Sequence, residues 1–233
     1  MTSEVVRNGT KILFLGKEKD EHCTRAVRFI ERHGANVTVC LGKWGDPLPG
    51  ETEVWDGDVI ISYLSRWVIP DNLLKRARIA AINFHPASPD YPGIGCNNFA
   101  LYEEAKEYGV TCHHMARKVD TGDIIAVKRF AVFPDDDVRS LLQRTYDYQL
   151  VLFYEIAAGI LQGKPLPAST ETWSRNPFSR KEFDQLSIID PAMSEDEIGR
   201  RVRATSYGAF QPTIEIGDHV FELKRRTGED GVS

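Results

Sequence analysis

Three polar residues of the chain, Asn83, His85 and Asp120, together have the chemistry that acyl transfer requires. An amide N–H can donate a hydrogen bond to the negative oxygen that develops on an attacked carbonyl. An imidazole can polarise that carbonyl or move a proton, and a carboxylate can accept a proton or orient the imidazole. No serine or cysteine lies in a nucleophile-elbow sequence, so we do not expect a covalent acyl-enzyme.

Two of these residues lie at the end of a predicted strand, IAAINFH (79–85). Because alternate side chains of a strand share a face, Asn83 and His85 point to the same side, and Phe84 points into the core. Pro86 favours an extended conformation at His85. A strand end with an incidental histidine would give the same pattern, so this motif alone is compatible with structure and with chemistry.

The third residue, Asp120, lies in the segment VDTGDII (119–125). An aspartate, a threonine and a glycine before a β-branched run are typical of a turn that leads into a strand. For this segment alone the turn is the simpler interpretation. The combination of an amide, an imidazole and a carboxylate at loop ends favours a reaction centre.

The elements that must hold these residues alternate between strands and helices. We predict strands at 11–16, 36–41, 58–63, 79–85, 110–117 and 123–132, a helix that ends near 32, and helices at 70–77, 97–108 and 135–163. This alternation predicts an α/β fold with a doubly wound, mostly parallel sheet flanked by helices. Ligands of such sheets bind beyond the carboxyl ends of the strands, where Asn83 and His85 lie.

The composition of the sequence changes after Pro165, where prolines, serines and basic residues become frequent. We therefore predict a catalytic domain at 1–165 and a small C-terminal extension at 166–233. A capping box predicts a helix in the extension, and a Gly-Asp turn predicts a β-hairpin. These elements span 194–205, 212–216 and 219–224.

The composition is that of an ordinary globular protein. Of 233 residues, 42% are hydrophobic and 27% are charged, and the formal net charge is −5. This acidic balance argues against a nucleic-acid partner, which requires basic surface. No apolar stretch is long enough to span a membrane, and residues 1–10 lack the apolar region of a secretory signal, so we expect a cytoplasmic protein without a membrane partner.

The cysteines and histidines of the sequence do not predict a metal site. The 4 cysteines are widely spaced and form no C-x-x-C pair. Cys112, His113 and His114 are consecutive on a predicted strand, so His113 faces away from the other two. We therefore expect a structural role for these three residues.

In order along the chain, the motifs NFHPASPDYPG, GVTCHH and VDTGDII resemble those of the formyltransferases that use N10-formyltetrahydrofolate. The resemblance covers about residues 10–165 and implies a Rossmann-like formyltransferase domain. It implies that Asn83, His85 and Asp120 are catalytic, that a neutral amine attacks the formyl carbon directly through a tetrahedral intermediate, and that no metal takes part. It also implies that the backbone of two stretches binds the pterin. The implied folate-binding residues are Ser62, Tyr63, Leu64, Arg66, Met115, Lys118, Val119 and Asp120.

Among these enzymes, the chain is most similar to those that formylate nucleotide-linked amino sugars, through FSRKEFDQLSIID and RRVRATSYGAFQPTIEI. The resemblance implies a GDP- or dTDP-linked amino sugar as acceptor, a role in O-antigen or lipopolysaccharide biosynthesis, and a homodimer. Aromatic side chains could stack on the base, and arginines could bind the diphosphate. The predicted sugar-nucleotide residues are Tyr91, Gly93, Trp173, Arg175, Tyr207 and Phe210.

Residues of the extension also have structural interpretations. Trp173 could equally pack over the sheet. The basic side chains that could meet a diphosphate could instead lie on solvated helix faces. These are Arg175, Arg180, Lys181, Arg200, Arg201 and Arg203.

Other acceptors and other functions remain open. Methionyl-tRNA formyltransferases carry a larger C-terminal domain, so we expect that tRNA is not the acceptor. Glycinamide ribonucleotide formyltransferases have a glycine-rich phosphate loop after the first strand, where this chain has GKEKDEHC (16–23). A formyltetrahydrofolate hydrolase usually carries a preceding regulatory domain. A folate- or nucleotide-binding protein without catalysis is the alternative outside the enzymes.

Overall fold

In a computed structural model of the chain, which describes residues 9–208 and 210–224, helices surround a six-stranded sheet, and a two-stranded hairpin lies apart from it. The strands of the sheet are β1 Lys11–Lys17, β2 Asn36–Gly42, β3 Gly57–Tyr63, β4 Ala77–His85, β5 Glu107–His114 and β6 Ile124–Ala131. The helices are α1 Glu21–Arg32, α2 Glu51–Val54, α3 Asp71–Leu74, α4 Cys96–Tyr102, α5 Val138–Leu161, α6 Arg180–Leu186 and α7 Glu195–Thr205. The hairpin consists of β7 Thr213–Ile216 and β8 His219–Glu222.

The sheet has the strand order β2-β1-β3-β4-β5-β6. β1 is parallel to β2 and to β3, and β3 is parallel to β4. β5 is antiparallel to both of its neighbours, β4 and β6. The predicted mostly parallel sheet flanked by helices is therefore confirmed, with one strand reversed.

Side chains of β1 alternate between two apolar layers, as the period of a strand requires. Ile12 and Phe14 belong to a large core cluster that also includes residues of α1, α4 and α5. Leu13 and Leu15 belong to a smaller cluster on the other face. These four side chains are at most 1% exposed, so the strand is enclosed on both faces.

The long helix α5 is attached directly beside the end of β4. It begins with a capping box in which Asp137 accepts a hydrogen bond from the backbone N–H of Ser140. Further along, the fully buried Gln149 donates its amide hydrogen to the carbonyl of Phe84 at 2.6 Å. This bond fixes the backbone between Asn83 and His85 from the core side.

The predicted helix 97–108 is wrong in its second half. α4 ends at Tyr102, and Glu104 has a φ of 55°, which turns the chain. Glu107 and Tyr108 already pair with β6. The ring of Tyr108 is fully buried, and its hydroxyl donates to the carbonyl of Pro86 at 3.0 Å. Burial of this ring in the core therefore outweighs the local helical pattern.

The elements predicted for the C-terminal extension are present. The predicted helix corresponds to α7, and the predicted hairpin corresponds to β7 and β8. The helix α6 was not predicted, although Ser179 and Glu182 form a capping box at its start. The terminal residues 225–233 lie outside the described residues. No helix within 9–208 and 210–224 combines the length and the apolar character needed to cross a membrane.

Candidate active site

The carboxyl end of β4 presents Asn83 and His85 next to the loop that follows the strand. His85 is 5% exposed, and Asn83 is partly buried. The loop is tied to the neighbouring strand, since the hydroxyl of Thr111 on β5 donates to the carbonyl of Ala87 at 2.7 Å. Rigid elements on both sides therefore hold the two polar side chains.

Asp120 lies between two histidines and is 4% exposed. Its Oδ2 is 3.3 Å from Nδ1 of His85, and its Oδ1 is 3.4 Å from Nε2 of His113. The backbone N–H of Gly93 also donates to Oδ2, at 3.0 Å. The φ of Asp120 is 49°, a left-handed conformation that costs energy in residues other than glycine. The structure thus brings the three predicted site residues together in one cluster.

The surroundings of Asp120 keep its carboxyl charged. Burial on its own raises the pKa of this group. The neighbouring charge of His85, the contacts with His113 and the N–H of Gly93 act against burial and outweigh it, so the pKa of Asp120 lies below its ordinary value. A charged carboxylate at this position can accept a proton.

His113 belongs to this cluster, although the sequence pattern around it predicted a structural role. It is 2% exposed and lies directly opposite Asn83 in the pairing of β4 with β5, so the two side chains share a face. Its Nδ1 donates to the carbonyl of His114 at 2.8 Å. When the ring is neutral with its proton on Nδ1, Nε2 accepts from the amide nitrogen of Asn83, 3.1 Å away; a ring protonated at Nε2 donates to Oδ1 of Asp120 instead. His113 therefore orients the amide of Asn83.

His85 has acceptors at both ring nitrogens. Nε2 is 3.1 Å from the carbonyl oxygen of Tyr91, which can only accept. Nδ1 faces the carboxylate of Asp120. Both ring nitrogens of His85 therefore face hydrogen-bond acceptors.

A cleft of about 350 Å³ opens over this cluster, which is the size range of small-molecule sites. Asn83, His85 and Asp120 all line it, and so does His113. Most of the predicted folate-binding residues also line the cleft. They are Ser62, Leu64, Arg66, Met115, Lys118, Val119 and Asp120.

The end of β3 forms one wall of this cleft. Leu64 has a φ of 52°, which is unusual for a residue other than glycine. Tyr63 was predicted with the folate-binding residues, but its ring is fully buried and stacks on Phe14 in the core. Its side chain does not line the cleft, because residues alternate along the strand and this one faces the helix layer.

Of the residues predicted to bind the sugar nucleotide, Gly93 lines the cleft. Tyr91 and Arg175 lie together outside the cleft lining, with the guanidinium 5.2 Å from the centre of the tyrosine ring. Arg175 is also paired with Glu103 at 2.7 Å. An acceptor phosphate would have to compete with that carboxylate for Arg175.

Trp173 packs against the histidines of the cluster. Its ring centre is 5.9 Å from that of His85 and 5.1 Å from that of His113, both in edge-to-face geometry. Its indole N–H donates to the carbonyl of Gly122 at 2.8 Å. The side chain therefore packs over the end of the sheet, as one of the two sequence interpretations had it.

Tyr207 and Phe210 lie away from the cleft lining. The ring of Phe210 stacks on Phe183 of α6 at 5.0 Å, and Arg139 lies 5.8 Å from the ring of Tyr207. Both aromatic rings are partly exposed, at 41% for Tyr207 and 37% for Phe210. The structure does not bring these two residues to the catalytic cluster.

Several basic side chains of the extension have partners within the protein. Arg201 pairs with Glu197 and donates to the backbone carbonyls of Leu186, the last residue of α6, and of Ile188. Arg203 donates to the carbonyl of Asp136 at 2.7 Å. These contacts favour a structural role for Arg201 and Arg203. Within the part of the chain that the structure describes, no three metal-binding side chains are grouped as a metal site.

Comparison with known proteins assigns part of the chain to a family. Residues 50–156 match the model of the formyl transferase family. This chain contains a formyl transferase domain. The matched stretch of that domain includes Asn83, His85, His113 and Asp120.

One curated relative of the formyl transferase domain is longer than this chain. The GDP-perosamine N-formyltransferase of Brucella melitensis is 30% identical over 161 residues, which are 69% of this chain and 61% of the relative. This chain therefore spans about three fifths of the length of that relative.

Solved structures share the fold of the domain. The 4-N formyltransferase of Francisella tularensis has a TM-score of 0.73 at 17% identity, over 93% of this chain and 99% of that chain. The formyltransferase PseJ from Anoxybacillus kamchatkensis, crystallised with UDP-4,6-dideoxy-4-formamido-L-AltNAc and tetrahydrofolate, has a TM-score of 0.60 at 27% identity. That match covers 75% of this chain and 88% of the other. The predicted relationship to formyltransferase enzymes is confirmed.

Proposed function

We propose that this chain transfers a formyl group from N10-formyltetrahydrofolate to the amino group of a nucleotide-linked amino sugar. The observation that carries the proposal is the cluster of Asn83, His85 and Asp120, which lines one cleft within a formyl transferase domain. The names of relatives support the acceptor class. One is a GDP-perosamine N-formyltransferase, and another was crystallised with a formamido sugar nucleotide and tetrahydrofolate.

The cleft suits a folate in its lining as well as its size. Leu64, Trp67 and Met115 supply apolar surface for an aromatic ring system. Arg66 and Lys118 also line the cleft, and their positive charges suit the carboxylates of a folate. The formyl group would then lie close to the polar cluster.

In the proposed reaction, the lone pair of the acceptor amine attacks the formyl carbon, and the π electrons of the carbonyl move to its oxygen. N–H groups of Asn83 and His85 stabilise this negative oxygen. Collapse re-forms the carbonyl and breaks the bond to N10 of the folate, and N10 takes up the proton that the acceptor nitrogen loses, passed on by Asp120. The charged Asp120 accepts the acceptor's proton directly or through His85.

His85 must change one partner during this sequence. Its Nε2 faces the carbonyl of Tyr91 at 3.1 Å. To donate to the substrate oxygen, Nε2 exchanges that carbonyl for the substrate, while Nδ1 stays next to Asp120. The carboxylate of Asp120 thus holds the Nδ1 side of the imidazole in place.

The proposal is tested by incubating the protein with N10-formyltetrahydrofolate and a panel of GDP-, dTDP- and UDP-linked amino sugars. Mass spectrometry should show one sugar gaining the mass of a formyl group, which also names the base. His85→Asn and Asp120→Asn should lower kcat by about 10²–10⁴-fold, and Asn83→Ala by about 10²–10³-fold. His33→Asn, at the C-cap of α1 and outside the cleft lining, is the matched control and should keep wild-type rates.

Each alternative gives a different result in the same assay. Formylation of glycinamide ribonucleotide but of no sugar would show that the acceptor is glycinamide ribonucleotide and not a sugar nucleotide. Formate release without any acceptor would indicate a hydrolase. Folate binding without turnover, unchanged in His85→Asn, would indicate a binding protein and overturn the proposed catalysis.

Further parts of the proposal concern the whole chain. We propose a catalytic domain at 1–165 and an extension at 166–233 that contributes to sugar-nucleotide binding. We also propose that the enzyme is a cytoplasmic homodimer that works without a metal and serves O-antigen or lipopolysaccharide synthesis. Sedimentation at several concentrations tests the dimer, and activity after dialysis against a chelator tests the independence from metals.

A further inference from the structure

We infer that Trp173 of the C-terminal extension is a positioning residue for the two histidines of the proposed catalytic cluster, an inference that rests on the function proposed above. Trp173 lies beyond the stretch 50–156 that matches the family model. Its ring nevertheless packs against both His85 and His113. The site is therefore completed by a residue from outside the matched domain.

The first support is the geometry of the indole. Its N–H donates to the carbonyl of Gly122 at 2.8 Å, which fixes the ring plane. The histidine rings lie at steep angles to that plane, 69° for His85 and 86° for His113. Such edge-to-face contacts are the favourable arrangement for aromatic rings. A ring anchored in this way restricts rotation of both imidazoles.

The second support is the attachment of the segment that carries Trp173, residues 169–178, which we call the strap. Its backbone is bonded to the loop after β4, with Ser174 donating to Pro89 at 3.2 Å and Phe178 donating to Pro92 at 2.9 Å.

At its other end the strap reaches the start of β6, where the N–H of Ser169 donates to the carbonyl of Ile124 at 3.0 Å. Arg129 on β6 adds a side-chain tie, since it pairs with Glu171 of the strap at 2.5 Å and with Asp90 of the loop after β4 at 2.9 Å. The strap thus joins the two loops that hold the cluster.

The third support is what the cluster lacks without the indole. Asp120 contacts one nitrogen of each histidine, and a backbone carbonyl faces the other nitrogen. These contacts hold each ring at its two nitrogens and leave rotation about the axis through them. Trp173 packs against both rings, so it limits this rotation. In doing so it keeps Nε2 of His113 directed at the amide of Asn83. When Trp173 is removed, we expect the N–H donors of Asn83 and His85 to point away from the substrate oxygen, which lowers kcat more than it changes substrate binding.

The test compares Trp173→Ala and Trp173→Phe with the wild-type protein. Trp173→Ala should lower kcat about ten- to a hundredfold, with KM values for folate and sugar nucleotide changed less than about threefold. Trp173→Phe keeps a ring against the histidines and should restore kcat to within about threefold of the wild type. The control for loss of an indole is Trp55→Phe, which should leave kcat unchanged. Trp55 is 4% exposed and belongs to the smaller apolar cluster with Leu13 and Leu15.

A second readout does not depend on activity. Nitrogen and proton NMR signals of the imidazole rings of His85 and His113 should shift and broaden in Trp173→Ala, and they should stay close to the wild type in Trp55→Phe. If the wild type transfers no formyl group, the proposed function fails, but the ring signals still test the positioning.

Two results would overturn the inference. One is a Trp173→Ala protein with wild-type kcat and a raised KM for the sugar nucleotide, which would make the indole a base-stacking surface. The other is a loss of kcat in Trp173→Ala that Trp173→Phe does not restore, with unchanged histidine signals. That result would mean that Trp173 acts only through its hydrogen bond with Gly122.

Discussion

At the scale of single residues, the pairing of Asn83 with His113 determines which way the amide points. The two residues lie opposite each other on β4 and β5, and the amide nitrogen is 3.1 Å from Nε2 of the imidazole. An amide that must donate to a substrate oxygen loses effect when it can rotate, because preorganised donors stabilise charge better than mobile ones.

The variant His113→Ala removes the acceptor that orients this amide. We expect kcat for formyl transfer to fall by up to about a hundredfold, with little change in the KM for folate. Steady-state kinetics with the acceptor found in the panel assay would measure both values. His114→Ala, the neighbouring residue on β5 whose side chain does not line the cleft, is the matched control. A wild-type kcat in His113→Ala would contradict the orienting role.

The sequence was sufficient to place Asn83 and His85 on one face, because alternation along a strand is a local property. It was sufficient to separate His113 from Cys112 and His114 for the same reason. It could not show that His113 faces Asn83, since this depends on the direction and register of β5 against β4. The pattern of alternating strands and helices predicted parallel neighbours, and the reversed strand is the exception to that pattern.

At the scale of elements, the connection from β5 to β6 depends on close packing at Gly122. A side-chain carbon added at Gly122 would lie 1.8 Å from the carbonyl oxygen of His114, which is a backbone atom that cannot move cheaply. The same turn carries Asp120 and provides the carbonyl that accepts from Trp173. The glycine therefore allows the turn to approach β5 closely enough to complete the cluster.

Gly122→Ala is expected to destabilise the protein by about 1–3 kcal/mol through overpacking and to lower formyl transfer as Asp120 shifts. The matched control is Gly159→Ala on α5, where an added carbon meets nothing within 4 Å. There we expect a gain of about 0.5–1 kcal/mol, because alanine is the better helix former. Urea unfolding measures both changes, and equal effects of the two substitutions would contradict this account of Gly122.

Element boundaries could be predicted where a local signal marks them. The capping box at Asp137 and the turn of the hairpin are such signals. The end of α4 could not be predicted, because it is set by burial of Tyr108 in the core and not by a helix-ending residue. The strap could not be predicted either, since it has no regular secondary structure and is defined by bonds to loops far away in the sequence.

At the scale of the whole molecule, four aspartates make the fold sensitive to acid. Burial raises the pKa of each of them, but hydrogen bonds and nearby positive charge outweigh burial and hold each pKa below its ordinary value. These aspartates are Asp20, Asp90, Asp120 and Asp136. The unfolded chain, with carboxyl pKa values of about 4, therefore binds protons before the folded protein does.

The stabilisation from these carboxylates is present above about pH 4 and is lost as the pH falls through their lower folded values. We expect the free energy of unfolding to fall steadily between pH 5 and pH 3. Asp120→Asn should be less stable than the wild type at pH 7, and the difference should shrink as the pH approaches 3. Urea unfolding at a series of pH values measures both curves, and parallel curves would contradict a lowered pKa for Asp120.

The position of the strap has a consequence for the order in which the protein is made. Asp120 and both histidines precede Trp173 in the chain. At about 5–20 residues per second, the ribosome adds this tryptophan roughly 3–10 s after Asp120. During that interval the nascent chain contains all the proposed catalytic residues but lacks the indole. Folding of the site during synthesis therefore finishes late, and a chain released before the strap would carry every proposed catalytic residue without the order that the strap gives them.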